Sequence, residues 1–315
     1  MDPGAARGRR FGHRRVSAAL STGFQVPSHR RELDRPGNRT ANIHVSTCYS
    51  FSVVSLGSRR EEWVPGGVSV REAITSVARV AKRDGLLGLA KRTRDHWADA
   101  RECREFLRSV KRARPAGPEQ VVEMAFSSPA IRPFQVKSEI LGLAQRVSAL
   151  RPRTLLEIGT AEGGTLFILA QCADPHATFI SLDLPAGTFG GGYPTWRGAI
   201  YKKLTRPEQT LHLIRGNSHE AGSMEGVRNL LAGSPLDVLF IDGDHSYDGV
   251  KRDFELYSPL VRPGGLVALH DIARHPADVG CEVDRFWVET RGGFRNEELV
   301  ENPDQGGKGI GVLWV

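Results

Sequence analysis

The stretch Thr154–Thr165, T-L-L-E-I-G-T-A-E-G-G-T, constrains this chain more than any other. A short apolar run ends in an acid, and a glycine-rich turn then opens into the helical spacing of Leu166, Ile168, Leu169 and Ala170. That order is expected of a buried parallel strand whose carboxyl end meets a ligand with bare backbone at a helix N-terminus. Glycines at 159, 163 and 164 would permit the tight turn and a close ligand approach. Strand, glycine loop and helix recur in many nucleotide-binding folds. Function has to be read from the residues beyond the turn.

Apolar runs and helical patterns alternate downstream. Candidate strands are 154–158, 178–183, 210–214, 236–242 and 265–270, with helices near 164–172, 219–232 and 247–258. Two late strands, about 295–300 and 309–315, close the chain. Val238–Ile241 and Leu266–Leu269 contain no polar residue, the pattern of parallel strands covered on both faces. The expected class is therefore α/β, a doubly wound Rossmann-like sheet.

Upstream, 138–150 has helical spacing and is stopped by Pro152. Ser69–Glu72 fits a capping box, and Val70, Ile74, Val77 and Ala81 continue it at helical spacing. Trp97, Ala100, Cys103, Leu107 and Val110 form a second helical pattern, with Arg94, Arg101, Arg104, Arg108, Lys111 and Arg112 on the opposite face. Such a stripe reads first as a solvated face; a surface for an acidic partner or a membrane is the sharper alternative. Arg114–Pro118 reads as a linker. The expected division is a disordered basic tail at 1–60, a helical extension and linker at 61–130, and the α/β domain at 131–315.

The net charge of +7 is unevenly spread. Residues 1–60 hold eleven arginines against three acids, and 68–114 hold thirteen basic residues against six acids, so the remainder is acidic. The first sixty residues lack any sustained period and cannot bury enough apolar surface to offset ordering. A transit peptide and a nucleic-acid contact by Arg9, Arg10, Arg14 and Arg15 are lesser readings of that segment, the second because only Phe11 is interleaved. Four scattered cysteines without paired spacing suggest a reducing, cytoplasmic compartment and no zinc site. No apolar run approaches the roughly 18 residues of a membrane span.

Ligands in doubly wound sheets bind beyond the carboxyl ends of the strands. Those ends here are Glu157 and Gly159, then Asp183, then Gly216-Asn217-Ser218, then Asp242-Gly243-Asp244-His245, then His270-Asp271. Asp183, about twenty residues past the turn, is placed to accept hydrogen bonds from ribose hydroxyls. Asn217 and Ser218 suit an adenine edge. Each residue alone has a structural reading as a cap or turn; five polar strand ends in one chain argue for a site. His245, three residues after Asp242 and with an ordinary pKa of about 6.5, suits a general base or, structurally, an orienter of Asp271 or a helix cap. In P-A-G-T-F-G-G-G-Y-P-T-W, Pro185–Trp196, three glycines exclude a helix, and a lid carrying Phe189, Tyr193 and Trp196 is expected.

E-I-G-T-A-E-G-G-T, S-L-D-L-P, I-R-G-N-S, F-I-D-G-D-H-S-Y-D-G-V-K-R-D-F and P-G-G-L-V-A-L-H-D together resemble class I S-adenosylmethionine-dependent methyltransferases, and more closely the branch of macrocin-type O-methyltransferases and cephalosporin-hydroxylase-like proteins. The resemblance covers about 130–315. It implies a seven-stranded sheet with an antiparallel last strand, and S-adenosylmethionine as cofactor. Glu157, Gly159, Thr160 and Gly163 would hold its methionine end, Asp183 would take the ribose, Asn217 with Ser218 would flank the adenine, and Asp242 would be a further cofactor contact. Related metal-dependent members place magnesium on acids at the ends of strands four and five, here Asp242 and Asp271. His270 stands where a second acid or Asn is usual, so Mg²⁺ or another divalent metal on Asp242, Asp271 and His270 is expected, imidazole favouring a softer ion.

The expected activity is O-methylation of a small hydroxylated acceptor, a sugar or secondary metabolite, with His245 and Asp242 catalytic. Partners beyond that acceptor are not expected, and a homo-oligomer is left open. An NAD-type oxidoreductase is the rival enzyme; against it, the turn is G-x-x-x-G-G and not G-x-G-x-x-G. A non-catalytic cofactor-binding module with a nucleic-acid-binding basic first third is the other alternative.

Overall fold

Neighbouring residues on each strand point into two different hydrophobic cores, and this alternation sets the architecture. On β1 (Thr154–Ile158), Leu155 joins one cluster and Leu156 and Ile158 the other. The same split runs through β2 (Thr178–Asp183), where Phe179 opposes Ile180 and Leu182, and through β4 (Leu236–Ile241), where Val238 and Phe240 oppose Leu239 and Ile241. A sheet apolar on both faces must be covered on both. The computed structural model describes residues 70–185, 192–276 and 279–315. The expected tail at 1–60 and Phe189 lie outside the described residues.

The sheet has seven strands in the order β3-β2-β1-β4-β5-β7-β6, adding β3 (Thr210–Arg215), β5 (Val261–His270), β6 (Arg295–Leu299) and β7 (Ile310–Trp314). β7 is inserted between β5 and β6 and runs antiparallel to both. The remaining pairs are parallel. This is the Rossmann-like sheet with an antiparallel last strand that the resemblance implies.

One face is covered by α2 (Pro118–Ser127), α3 (Lys137–Leu150), α4 (Gly164–Cys172) and the second half of α1 (Val70–Ala113). The short α5 (Arg197–Tyr201) follows β2. The other face is covered by α6 (Ala221–Leu231), α7 (Tyr247–Tyr257) and α8 (Val283–Thr290). The two helical patterns upstream form α1, broken at Gly85, whose φ of 71° is left-handed and open to glycine without strain. Phe106 of α1 packs edge-on against Phe167, ring centres 5.0 Å apart, so α1 is tied to the sheet's own core. Arg197 and Asp99 lock α1 to α5 through a two-pronged ion pair, 3.1 Å and 2.5 Å. On the outer face Arg101 pairs with Glu105 at 2.9 Å in solvent, a contact of small energetic weight. No helix among the described residues is long and apolar enough to cross a membrane.

The expected linker ends inside a helix. Pro118 takes the first turn of α2, where its missing N–H costs nothing, and Val121, Val122 and Ala125 are buried. The structure also adds α8 to the expected helices, and Val283, Phe286 and Trp287 carry its i, i+3, i+4 spacing.

The glycine turn is held close to its protein neighbours. The ladder continues beyond β1, with the Gly159 N–H on the Leu182 carbonyl at 2.9 Å and the Asp242 N–H on the Ile158 carbonyl at 2.8 Å. Gly159 has φ 88°, and a Cβ there would lie 2.0 Å from the Asp242 carbonyl oxygen. Backbone on both sides leaves no room to give. Gly159→Ala is therefore expected to cost at least ~3 kcal/mol from strain and overpacking together, a fall in Tm of about 6–12 °C by calorimetry. A Tm equal to the parent's would contradict this account.

Candidate active site

The carboxyl ends of β1 to β5 open onto a cavity of about 480 Å³. Its lining includes Gly159, Asp183, Asn217, Ser218, Asp242, His245, His270 and Asp271, so eight of the eleven residues expected from sequence converge there. Glu157, Thr160 and Gly163 do not line it. Gly163 instead starts α4 at φ 86°, and a Cβ would meet the Tyr201 ring at 2.9 Å. The Thr160 hydroxyl donates to Glu157 Oε2 at 2.8 Å and lies 2.6 Å from the Ser181 hydroxyl. Glu157 is fully buried beneath the turn, and its Oε1 has no hydrogen-bond partner.

Asp183 secures the turn from the neighbouring strand. Its Oδ2 accepts the N–H groups of Thr160 at 3.1 Å and Ala161 at 2.8 Å. Burial raises its pKa against the lowering effect of these donors. Asn217 Oδ1 accepts the His219 N–H at 2.9 Å, the local turn that the structural reading of that corner expects. The Ser218 carbonyl accepts from the Tyr257 hydroxyl at 2.7 Å. His219 also lines the cavity, with Nε2 3.3 Å from the wholly buried Asp253.

The D-G-D-H-S-Y segment is a capped helix start. Asp244 Oδ1 accepts from the Ser246 N–H at 2.9 Å and hydroxyl at 2.7 Å, and Ser246 in turn caps α7 through the Gly249 N–H at 3.1 Å. Asp244 is thereby engaged in structure, and Asp242 and His245 are left aimed at β5.

At the ends of β4 and β5 two carboxylates flank an imidazole. His270 Nδ1 lies 3.0 Å from Asp242 Oδ1 and 3.1 Å from Asp271 Oδ2. Burial by itself would depress this histidine, yet the charge of Asp242 and the hydrogen bonds to both acids push it up to about 10. Burial would raise the two acids, but His270 holds both below the ordinary carboxylate range, helped at Asp271 by His245 and Lys308. His245 bridges the pair from above, 3.4 Å from Asp242 and 3.6 Å from Asp271. Its pKa is raised, because the hydrogen bond and charge of Asp242, then Asp271, outweigh burial.

Several site residues went unseen in the sequence. Gln135 donates to Asp242 Oδ2 at 2.6 Å and accepts from the Thr165 hydroxyl at 3.0 Å, fixing the carboxylate from the loop before α3. Phe134 and Lys308 also line the cavity. Asp242, His270 and Asp271 bring ligand atoms close enough to share a metal ion, and so do His245, Asp271 and Cys281. The scattered cysteines did not foreshadow the second group; burial pushes the Cys281 thiol up to about 11, away from the thiolate a metal needs. Cys103 and Cys172 are buried thiols, each pushed up to about 12.

The expected lid residues stand elsewhere. Tyr193 is buried, its ring 4.7 Å from that of Tyr201 and under the Arg215 guanidinium at 5.2 Å. Trp196 meets His96 of α1 edge-on at 4.8 Å. Neither lines the cavity, because the Arg197–Asp99 lock draws their segment onto α1.

Residues 156–272 match the family model described as a methyltransferase domain. The chain is 30% identical over 152 residues to the uncharacterized protein y4gI of Sinorhizobium fredii, covering 45% of this chain and 15% of that protein. It is 31% identical over 118 residues to an uncharacterized protein of Acanthamoeba polyphaga mimivirus, covering 38% of this chain and 51% of that one. The chain thus spans about half or less of the curated relatives it matches. Among solved structures, an O-methyltransferase from Bacillus cereus in complex with SAH is similar at 20% identity and a TM-score of 0.44, over 64% of this chain and 92% of that one.

Glu157 offers a test of the turn's electrostatics. Burial raises its pKa well above the usual value, so the folded state favours its protonated form. That contribution is complete below the unfolded pKa of about 4.3 and is lost as pH rises through the folded value. Glu157→Gln keeps the acceptor for Thr160 and removes the charge. Urea unfolding is expected to show the variant more stable than the parent at pH 8, with the gap closing toward pH 5. A gap that stays constant with pH would show that Glu157 is not buried as an acid.

Proposed function

We propose that this chain is an S-adenosylmethionine-dependent methyltransferase that methylates a hydroxyl oxygen of a small molecule. One observation carries the reading: a single cavity joins Asp183, Asn217 and Ser218 on one side to Asp242, His245, His270 and Asp271 on the other. The first group suits a ribose and an adenine edge, and the second suits activation of an oxygen nucleophile. The match of 156–272 to a methyltransferase domain supports the same assignment.

Methyl transfer from a sulfonium is an in-line displacement, so the protein's part is largely to position two molecules and remove one proton. Asp183 would bind the ribose hydroxyls, and the backbone from Gly159 to Ala161 would meet the methionine end. His245 would take the acceptor's hydroxyl proton at the rim, steadied between Asp242 and Asp271. Gln135 keeps Asp242 in register for that work.

Asp242 Oδ1, Asp271 Oδ2 and His270 Nδ1 converge closely enough to hold a divalent ion, and two carboxylates with an imidazole suit Mn²⁺, Fe²⁺ or Zn²⁺ better than Mg²⁺. Such an ion would supply Lewis-acid polarisation of the acceptor oxygen. His270 would have to release its Nδ1 proton to bind it, so metal uptake would liberate protons.

S-adenosylhomocysteine is expected to raise the Tm of the full chain while NAD leaves it unchanged. Asp183→Ala should weaken S-adenosylhomocysteine binding about tenfold or more, the scale of a lost hydrogen bond to a charged group. His245→Gln should leave that affinity intact and slow methyl transfer about 10²–10⁴-fold. Stabilisation by NAD alone would replace this reading with that of a dehydrogenase.

A further inference from the structure

The geometry points to Lys308 as an anion-recognising residue in the acceptor half of the cavity, so that the methylated molecule carries a carboxylate or phosphate near its reacting hydroxyl. This inference rests on the methyltransferase reading above and names its substrate class.

Lys308 lies in the loop between β6 and β7 and lines the same cavity as Phe134, His245 and Asp271. That loop is held by a buried carboxylate. Glu139 on α3, 2% exposed, accepts from the Glu301 N–H at 3.1 Å, the Gln305 side-chain amide at 2.7 Å and the Gly309 N–H at 2.9 Å. The Lys308 carbonyl accepts the Ala273 N–H at 2.8 Å, which clamps the loop to the residues after β5. At Lys308 the backbone is left-handed, φ 65°, between Gly307 and Gly309, which also have positive φ. Glycine would take this conformation without penalty, and lysine does not. A lysine at a glycine-favouring backbone position in a cavity wall points to a role for its side chain there.

The charge is not consumed within the protein. Asp271 is the acid it influences, and that carboxylate already faces His270 Nδ1 at 3.1 Å, His275 Nε2 at 3.3 Å and His245 Nδ1 at 3.6 Å. Among the described residues Lys308 makes no ion pair within 4.0 Å. The acids nearby are already engaged within the protein: Asp242 and Asp271 both face His270 Nδ1, at 3.0 Å and 3.1 Å, and Asp244 accepts from the Ser246 hydroxyl at 2.7 Å. A lysine ammonium so placed is a compact point charge suited to a carboxylate or phosphate. Phe134, 63% exposed, adds an apolar surface to the same half. A hydroxylated acid satisfies both.

The full chain loaded with S-adenosylhomocysteine would be titrated by calorimetry with two matched pairs, 3,4-dihydroxybenzoate against its amide and glucuronate against glucuronamide. Binding of S-adenosylhomocysteine is measured first and tests the cofactor reading separately; its absence overturns both. The expected result is that at least one acid binds about tenfold or more tightly than its amide, as a charge-assisted contact would give. Lys308→Met should erase the preference without moving the S-adenosylhomocysteine affinity, and Lys308→Arg should restore part of it. Equal binding of acid and amide, a preference that survives Lys308→Met, or no binding of either acid overturns the assignment.

Discussion

The approach of the turn after β1 to the end of β4 is the constraint on which the site depends. Because Gly159 has no Cβ, its backbone can sit against the Asp242 carbonyl, and the hydrogen bond from the Asp242 N–H to Ile158 prolongs the ladder past the strands. Asp183 braces the same turn from β2 through Thr160 and Ala161. Three strand ends are thus knitted into one rigid floor. The cavity inherits its width from that floor, and a shift of an ångström there would move Asp183 and Asp242 relative to each other, which the proposed transfer, being largely a matter of positioning, would not tolerate.

A second constraint acts at right angles to the first. A buried carboxylate and a half-buried one side by side need a cation between them, and His270 stands there. The arrangement is self-consistent: the acids raise the imidazole, and the imidazole lowers the acids. Asp271 itself has a left-handed backbone, φ 66°. A metal ion would take over the role of that proton, so the site as built is already the electrostatic mould of a cation.

Much of this was legible in the sequence because parallel strands covered on both faces cannot hide: Val238–Ile241 and Leu266–Leu269 are apolar throughout. The polar residues that end those runs were readable for the same reason, since a buried strand that turns polar does so at the sheet's edge. Contacts set by tertiary packing were not readable. Gln135 lies 107 positions from Asp242, and Glu139 lies 170 from Gly309, distances at which local periodicity carries no information. The glycines of the turn were read correctly as a tight turn, but what they make room for proved to be Asp242, Tyr201 and Ile131 rather than ligand alone. Tyr193 and Trp196 looked like lid residues because of the glycines before them. Their partners, Tyr201, Arg215 and His96, come from α5, β3 and α1, which the local sequence does not announce.

The two halves of the cavity are built differently. The half at β1 to β3 is made of backbone and side chains already tied by turns, Asn217 to His219 and Asp183 to Thr160, so it presents few rotamers to freeze. The half at β4 and β5 draws on four separate pieces of chain: β4 with its helix start, β5, the loop before α3 and the loop before β7. A fixed half would suit the proposed cofactor, whose shape never changes. A half assembled from several loops can be altered one loop at a time without disturbing the floor beneath it. On the proposed reading, acceptor choice would lie where the sheet contributes least, in the loops that carry Phe134, His245 and Lys308.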